Sequence, residues 1–385
     1  MSKRIIGGKV KMLQALTLVF CVLFSIFSGV YGIYFAYVKA YAKKPWKLKV
    51  DRNFQPKVSI LVPVHDEEGS IEKKLRNIKD VSYPKEKIEV IVADDASEDK
   101  TLMKVKDFME NNPELNMKVV RQNSRAGKSA ALNKALAVST NSIVIVSDAD
   151  TYWPPDVLQK ALPYLSDTMV GAVTGRGVNR NTDQSWVTEA ENTYLHLMSL
   201  LRLGESKIHS TIRFEGGFCA YKKNAFEMFD CETGADDSGT ALGVVERDHR
   251  AILVPDAVFY TQFPTRLIDK LRIKARRANQ LISLWVKSFK LLLKKRLLLP
   301  KRIAVPEIML FIFNPIVLLA LIITGVTAVI LFPFSLFSLA ILLFIAGLLL
   351  FARRIFLEVL LDNLILLYAL IAFVFGRRYV AWEKT

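Results

Sequence analysis

Residues 142–156 read "SIVIVSDADTYWPPD": a short β-branched run that ends directly on two aspartates separated by one small residue. Ile-Val-Ile-Val suits a pleated, buried strand, and the polar residues after it mark the strand's end. Working outward, "KVSILVP" (57–63), "IEVIVADD" (88–95) and "MKVVRQ" (117–122) repeat the pattern of a β-rich run ending in polar residues. Between them, 71–78, 102–109 and 130–138 carry apolar residues at helical spacing. Alternating strands and helices predict an α/β domain with a mainly parallel sheet and helices on both faces. Ligands of such sheets bind beyond the carboxyl ends of the strands. Three of these four strands end there in carboxylates: Asp66, Glu67 and Glu68; Asp94 and Asp95; Asp148 and Asp150. Carboxylates gathered at one edge are costly unless they bind a cation or accept hydrogen bonds from a ligand. Asp148 and Asp150 are the pair expected to hold a hard divalent cation, Mn2+ or Mg2+, that bridges two phosphates.

Gly127-Lys128-Ser129 raises the alternative of a phosphate-cradling P-loop. That motif needs a second glycine five residues earlier, where Gln122 stands, so it is half a motif. Lys128 is still expected to meet a phosphate, from a loop that opens a helix.

Composition bounds the rest. The 385 residues are 51% hydrophobic with positive mean hydropathy (+0.25), yet carry a net charge of +16. Such a chain suits a protein partly in a bilayer and partly facing anionic headgroups or phosphorylated substrates. A nucleic-acid binder is the competing reading for the charge, but its basic residues would not sit beside long apolar runs, and no nucleic-acid partner is expected. Cys21, Cys219 and Cys231 form no paired framework, which favours a reducing setting.

Four apolar runs reach span length at roughly 20 residues each: 12–38, 305–331, 333–351 and 355–375. Ala40-Tyr41-Ala42 resembles a signal-peptide cleavage site, but the run before it is too long for one. Lys39, Lys43, Lys44, Lys47, Lys49 and Arg52 follow the first run, Arg353 and Arg354 separate the last two, and the 331–335 link is uncharged. The positive-inside rule then puts the middle of the chain in the cytoplasm of a multi-pass cell-membrane protein. The basic N-terminus, with Lys3 and Arg4, argues weakly the other way. Glu358 and Asp362, inside the last run, are expected to pair with Arg353 or Arg354, the alternatives being that they are neutral or line an acceptor groove. The expected divisions are a membrane helix and basic linker (1–55), the α/β domain (56–264), an amphipathic helix region (265–300) and three further membrane helices (301–385).

"VSILVPVHDEEGSI", "VIVADDASEDKT", "RAGKSAALNKAL" and "VSDADTYWPPDVL" come in the order and spacing of glycosyltransferase family 2, which this chain resembles over 57–285. The resemblance implies a GT-A fold and transfer from a nucleotide-sugar. It implies that Pro63 and Val64 line the base, Glu67 reaches the ribose, Asp95 accepts a hydrogen bond from the base, and Lys128 meets the nucleotide or diphosphate. Asp148 and Asp150 would face ribose and metal, and Gly216 and Gly217 would let the sugar approach the backbone, although a simple turn is the plainer reading there. Inversion at a sugar carbon needs a base, and "GADDSGTALGV" holds the place of the family's Glu-Asp. Asp237 is the expected base, with Asp236 beside it as the alternative. The family's Gln-x-x-Arg-Trp is replaced by "RLIDKLRIKARRANQLISLWVKSF", where Arg276, Arg277, Gln280 and Trp285 offer similar chemistry at another spacing. Its apolar face (Leu267, Leu271, Ala278, Leu281, Ile282, Trp285, Phe289) predicts a helix lying in the membrane surface. Its arginines would meet headgroups or, alternatively, a diphosphate or acceptor phosphate. Together these readings imply a membrane glycosyltransferase that passes a sugar to a lipid-linked acceptor from a UDP- or GDP-sugar. The alternatives are a processive polysaccharide synthase, for which oligomerisation could complete a channel, and a non-catalytic nucleotide-binding scaffold.

Overall fold

The computed structural model describes residues 2–377. The side chains of Lys3, Arg4 and Arg354, counted above in the charge pattern, lie outside the described residues.

After the long helix α1 (Ser2–Ala42), strands and helices alternate: β1 (Val58–Val64), α2 (Ile71–Lys79), β2 (Ile88–Asp94), α3 (Thr101–Glu110), β3 (Asn116–Arg121), α4 (Lys128–Val138), β4 (Ile143–Val146) and α5 (Val157–Ala161). The expected strands and helices fall within one or two residues of these bounds. Next come β5 (Val170–Asn179), α6 (Trp186–Ile208), β6 (Cys219–Lys222), α7 (Asp236–Glu246) and β7 (Arg250–Thr261). The seven strands form one sheet in the order β3-β2-β1-β4-β6-β5-β7. Pairing is parallel except along β6, which is antiparallel to both β4 and β5. This reversal matters for the site: the residues entering β6, Gly216 and Gly217, stand at the edge where the other strands end. Every residue of β1, β2 and β4 is buried, as strands covered on both faces require. One apolar cluster lies on the Val58, Val90 and Ile145 face of the sheet, and another on the Leu61, Ile91 and Val146 face.

The chain closes with α8 (Leu267–Leu293), α9 (Lys301–Ile308), α10 (Asn314–Leu331), α11 (Leu336–Phe351) and α12 (Arg353–Val374). A π-helical turn, Met309–Phe313, joins α9 to α10. Among the described residues three stretches are long and apolar enough to cross a membrane: Gly7–Ala42, Lys301–Leu331 and Ile355–Val374. The expected 333–351 span is the 16-residue α11, about 24 Å long at 1.5 Å per residue and short of a ~30 Å hydrocarbon core.

α1 is docked on the α/β domain. Gly204 of α6 packs against the backbone of Val38, where a Cβ would collide, and the Tyr34 hydroxyl donates to Glu205 Oε1 at 2.7 Å. Below them Arg213 spans Glu205 (3.0 Å) and Glu307 (3.2 Å), tying α6 to α9.

Among the described residues Glu358 and Asp362 pair with lysines of α8 and not with Arg353. Lys270 lies 2.6 Å from Glu358, and Lys274 lies 3.2 Å from Glu358 and 2.8 Å from Asp362. The reason is helix packing: α8 lies along α12, and acids four residues apart on one helix meet lysines four apart on the other.

Candidate active site

The loop ahead of α4 is closed onto β2. Asp95 accepts the Ala126 and Gly127 amides through its two oxygens, each at 2.8 Å. The Gly127 N–H is therefore engaged by a carboxylate instead of facing a phosphate, which removes the P-loop reading. Gly127, at φ 93°, turns the chain into α4 so that Lys128 is the helix's first residue.

Lys128 is the centre of the cleft. Its ammonium lies 2.9 Å from Asp148, 2.8 Å from Asp236 and 3.4 Å from Asp237, with the side chain 15% exposed. Burial would lower the Lys128 pKa, but the three carboxylates outweigh it and hold it well above the usual lysine value. Burial, then the Asp236 charge, pushes Asp237 well above the usual carboxylate range, against the pull of Lys128. Gly216 keeps this space open: a Cβ there would meet Asp148 Oδ2, Lys128 Nζ and Asp237 Oδ2. Its carbonyl accepts the Asp148 N–H at 3.0 Å. Gly217 is glycine for a different reason, since a Cβ there would run into the Phe259 ring.

Two contacts from α4 carry Asp236 and Asp237 to Lys128. Ser129 donates to the Asp230 carbonyl (2.7 Å), and Asn133 holds Phe229 through both its N–H (2.7 Å) and its carbonyl (3.0 Å). Ser129 and Asn133 are four residues apart and share a helix face. The loop they pin leads into α7, whose first two residues are Asp236 and Asp237.

On the other side, Asp150 stands open to solvent at the rim. Although its surface is exposed, the protein crowded around its carboxyl desolvates it, and with the Asp148 and Glu67 charges this pushes its pKa up to about 6. Beneath the Asp148–Asp150 turn lies Lys74 of α2, fully buried, donating to the Thr151 carbonyl at 2.9 Å with its nitrogen 4.2 Å from the Trp153 ring centre. Burial pulls Lys74 down to about 7, opposed by Asp148 and Asp150. Glu67 is buried and accepts from Ser70, while Pro63 and Val64 are buried in β1 beside Ala93 and Asp94. Reading the sequence missed Lys74, Asn77 and Trp153. A lysine on an amphipathic helix reads as solvated, and nothing in its spacing marks it as buried.

The α8 residues are placed differently from expectation. Trp285 is 1% exposed and stacked on Phe311 at 5.9 Å, so it belongs to the core instead of presenting a ring to an acceptor. Ala278 and Ile282 pack on Ala369 of α12, so the apolar face of α8 is covered largely by protein. Leu267 is exposed. Arg276 and Gln280 are half-buried and Arg277 is exposed.

The family model for glycosyl transferase family 2 matches residues 59–229. The mannosyltransferase PcManGT from Pyrobaculum calidifontis, solved in complex with GDP-Man and Mn2+, superimposes with a TM-score of 0.80 at 30% identity, covering 94% of this chain and 100% of that one. The chain belongs to glycosyl transferase family 2. Its family relatives include the probable glycosyltransferase YdaM of Bacillus subtilis (strain 168), 28% identical over 252 residues, 63% of this chain and 60% of that protein. A beta-monoglucosyldiacylglycerol synthase of Trichormus variabilis is 33% identical over 168 residues, 43% of this chain and 34% of that protein. The chain thus spans less than two thirds of these curated relatives.

The family 2 cleft also fits a divalent cation. Its donors are carboxylate oxygens, the kind hard divalent ions take: Asp150 is exposed at the rim, and Asp148 Oδ1 faces the Lys128 ammonium at 2.9 Å, a cation already standing among the acids. Among the described residues no group of three or more His, Cys, Asp or Glu is placed to hold an ion by itself. Asp148 and Asp150 would supply one or two carboxylates and leave the remaining positions to phosphate oxygens and water, as Mg2+ and similar ions prefer.

Proposed function

We propose that this chain is an inverting glycosyltransferase that moves one sugar from a nucleotide-sugar to a membrane-held, lipid-linked acceptor. The observation that carries the reading is the cradle of Lys128, Asp148, Asp236 and Asp237 around Gly216, where a cation, a diphosphate and a base are needed together. The likeness to PcManGT over that protein's whole length supports GDP-mannose as the first donor to try. The relative named for monoglucosyldiacylglycerol synthesis supports a lipid acceptor, as do the three apolar helices.

In this reading the acceptor hydroxyl oxygen attacks the sugar C1 and the bond from C1 to the diphosphate oxygen breaks. The hydroxyl proton passes to the Asp237 carboxylate. Lys128 turns from Asp236 and Asp237 to the diphosphate, so that donor binding frees the base. Asp148 and Asp150 would hold a Mn2+ or Mg2+ ion, which would supply positive charge to offset that of the leaving diphosphate. The basic residues after α1 face the cytoplasm, where nucleotide-sugars are made.

Membranes containing the protein, incubated with labelled UDP- and GDP-sugars and Mn2+, test this. Label partitioning into butanol as a single sugar on lipid is expected. A water-soluble ladder would mean a processive synthase, and no transfer from any donor would sink the enzyme reading.

A further inference from the structure

A lysine with no exposed surface costs several kcal/mol in desolvation unless it is well partnered. Lys74 has no carboxylate within 4 Å among the described residues, and its partners are the Thr151 carbonyl and the face of Trp153. A leucine or methionine would fill the same slot at lower cost, so packing alone does not account for the amine.

What the amine touches does. Lys74 grips residue 151, and Asn77, one turn along α2, grips residue 153: it donates to the Trp153 carbonyl and accepts the Trp153 N–H, both at 2.8 Å. The Trp153 indole then donates to the Gly217 carbonyl at 2.7 Å. Ser147 donates to the same carbonyl at 3.2 Å, and the Asp148 N–H to that of Gly216 at 3.0 Å. A continuous set of contacts thus runs from α2, under the turn that carries Asp148 and Asp150, to the adjoining Gly216–Gly217 segment.

We propose that buried Lys74 and Trp153, with half-buried Asn77, form a strut that fixes the Asp148–Asp150 turn against the Gly216–Gly217 segment, making Lys74 a positioning residue for the cation-binding carboxylates. The proposal rests on the reading of the cleft given under Proposed function. Lys74 would act through the turn and touch neither donor nor acceptor.

Charge and geometry predict opposite signs here, which makes the proposal testable. Removing a cation from behind two carboxylates should tighten Mn2+ binding if Lys74 acts by charge alone. Removing a strut should loosen the carboxylates and weaken binding. The measurement is Mn2+ affinity by electron paramagnetic resonance on the full chain in detergent, with GDP or UDP present, for wild type, Lys74→Met and Asn77→Ala. Asn77→Ala removes part of the strut without touching charge.

The expected result is Mn2+ binding weakened roughly 10-fold or more in both variants, the range seen when groups behind metal ligands are lost. Tighter binding in Lys74→Met, or unchanged affinity in both variants with only a lower melting midpoint, would overturn the strut while leaving the cleft assignment intact. Should Lys74→Met not fold, Asn77→Ala decides alone. Wild-type protein that bound no Mn2+ with either nucleotide would overturn the cleft assignment itself, and the strut with it.

Discussion

The Lys128 ammonium lies 2.8 Å from the carboxylate of Asp236, joining the first residue of α4 to the first residue of α7. The same nitrogen reaches Asp148 at the end of β4, so one side chain bridges the expected cation site and the expected base. Lys128→Met should therefore weaken GDP or UDP binding, followed by calorimetry, and lower transfer by on the order of 100-fold or more, the scale of losing a charge-stabilising donor. Circular dichroism should show the fold retained.

Asp237→Asn should cut kcat by about 100- to 10,000-fold, as loss of a general base does, with donor binding little changed. Asp236→Asn should retain more activity. The reverse ranking would move the base to Asp236.

Burial raises the Asp237 pKa, so its protonated, inactive form persists to higher pH than an ordinary aspartate's. Transfer should therefore fall on acidification at a pH above the ordinary aspartate value of about 3.9. Lys128 stays charged across this range, because its own pKa is raised. A kcat/KM profile whose acid limb sat at the ordinary value would contradict the assignment.

The two glycines should fail in different ways. A Cβ at Gly216 meets Asp148, Lys128 and Asp237, so Gly216→Ala should lose transfer while the protein stays folded. A Cβ at Gly217 meets the Phe259 ring, so Gly217→Ala should destabilise the domain by roughly 1–3 kcal/mol, the usual cost of overpacking. Melting midpoints beside transfer rates separate the two.

Arg213 is the cation between buried Glu205 and Glu307. Arg213→Met leaves two acids facing each other without it and should cost about 3–5 kcal/mol, read as a lower unfolding midpoint in detergent.

The sequence by itself determined the α/β alternation, because buried parallel strands must be continuously apolar and helices must repeat every 3.6 residues. It also marked the carboxylates that end the strands, and length alone marked four apolar runs as spans, of which three are helices long enough to cross a membrane among the described residues. Only the tertiary structure decided which side chains meet. The reversal of β6 brings Gly216 to the strand ends, and Ser129 and Asn133 bring Asp236 and Asp237 to Lys128, through contacts between residues about a hundred positions apart. It likewise turned Trp285 inward, gave Glu358 and Asp362 to the lysines of α8, and buried Lys74 beneath the Asp148–Asp150 turn. Local spacing reports the face a residue lies on, whereas its partner is set by how helices and strands pack. A lysine reads the same in sequence whether water or an indole ring lies beyond it.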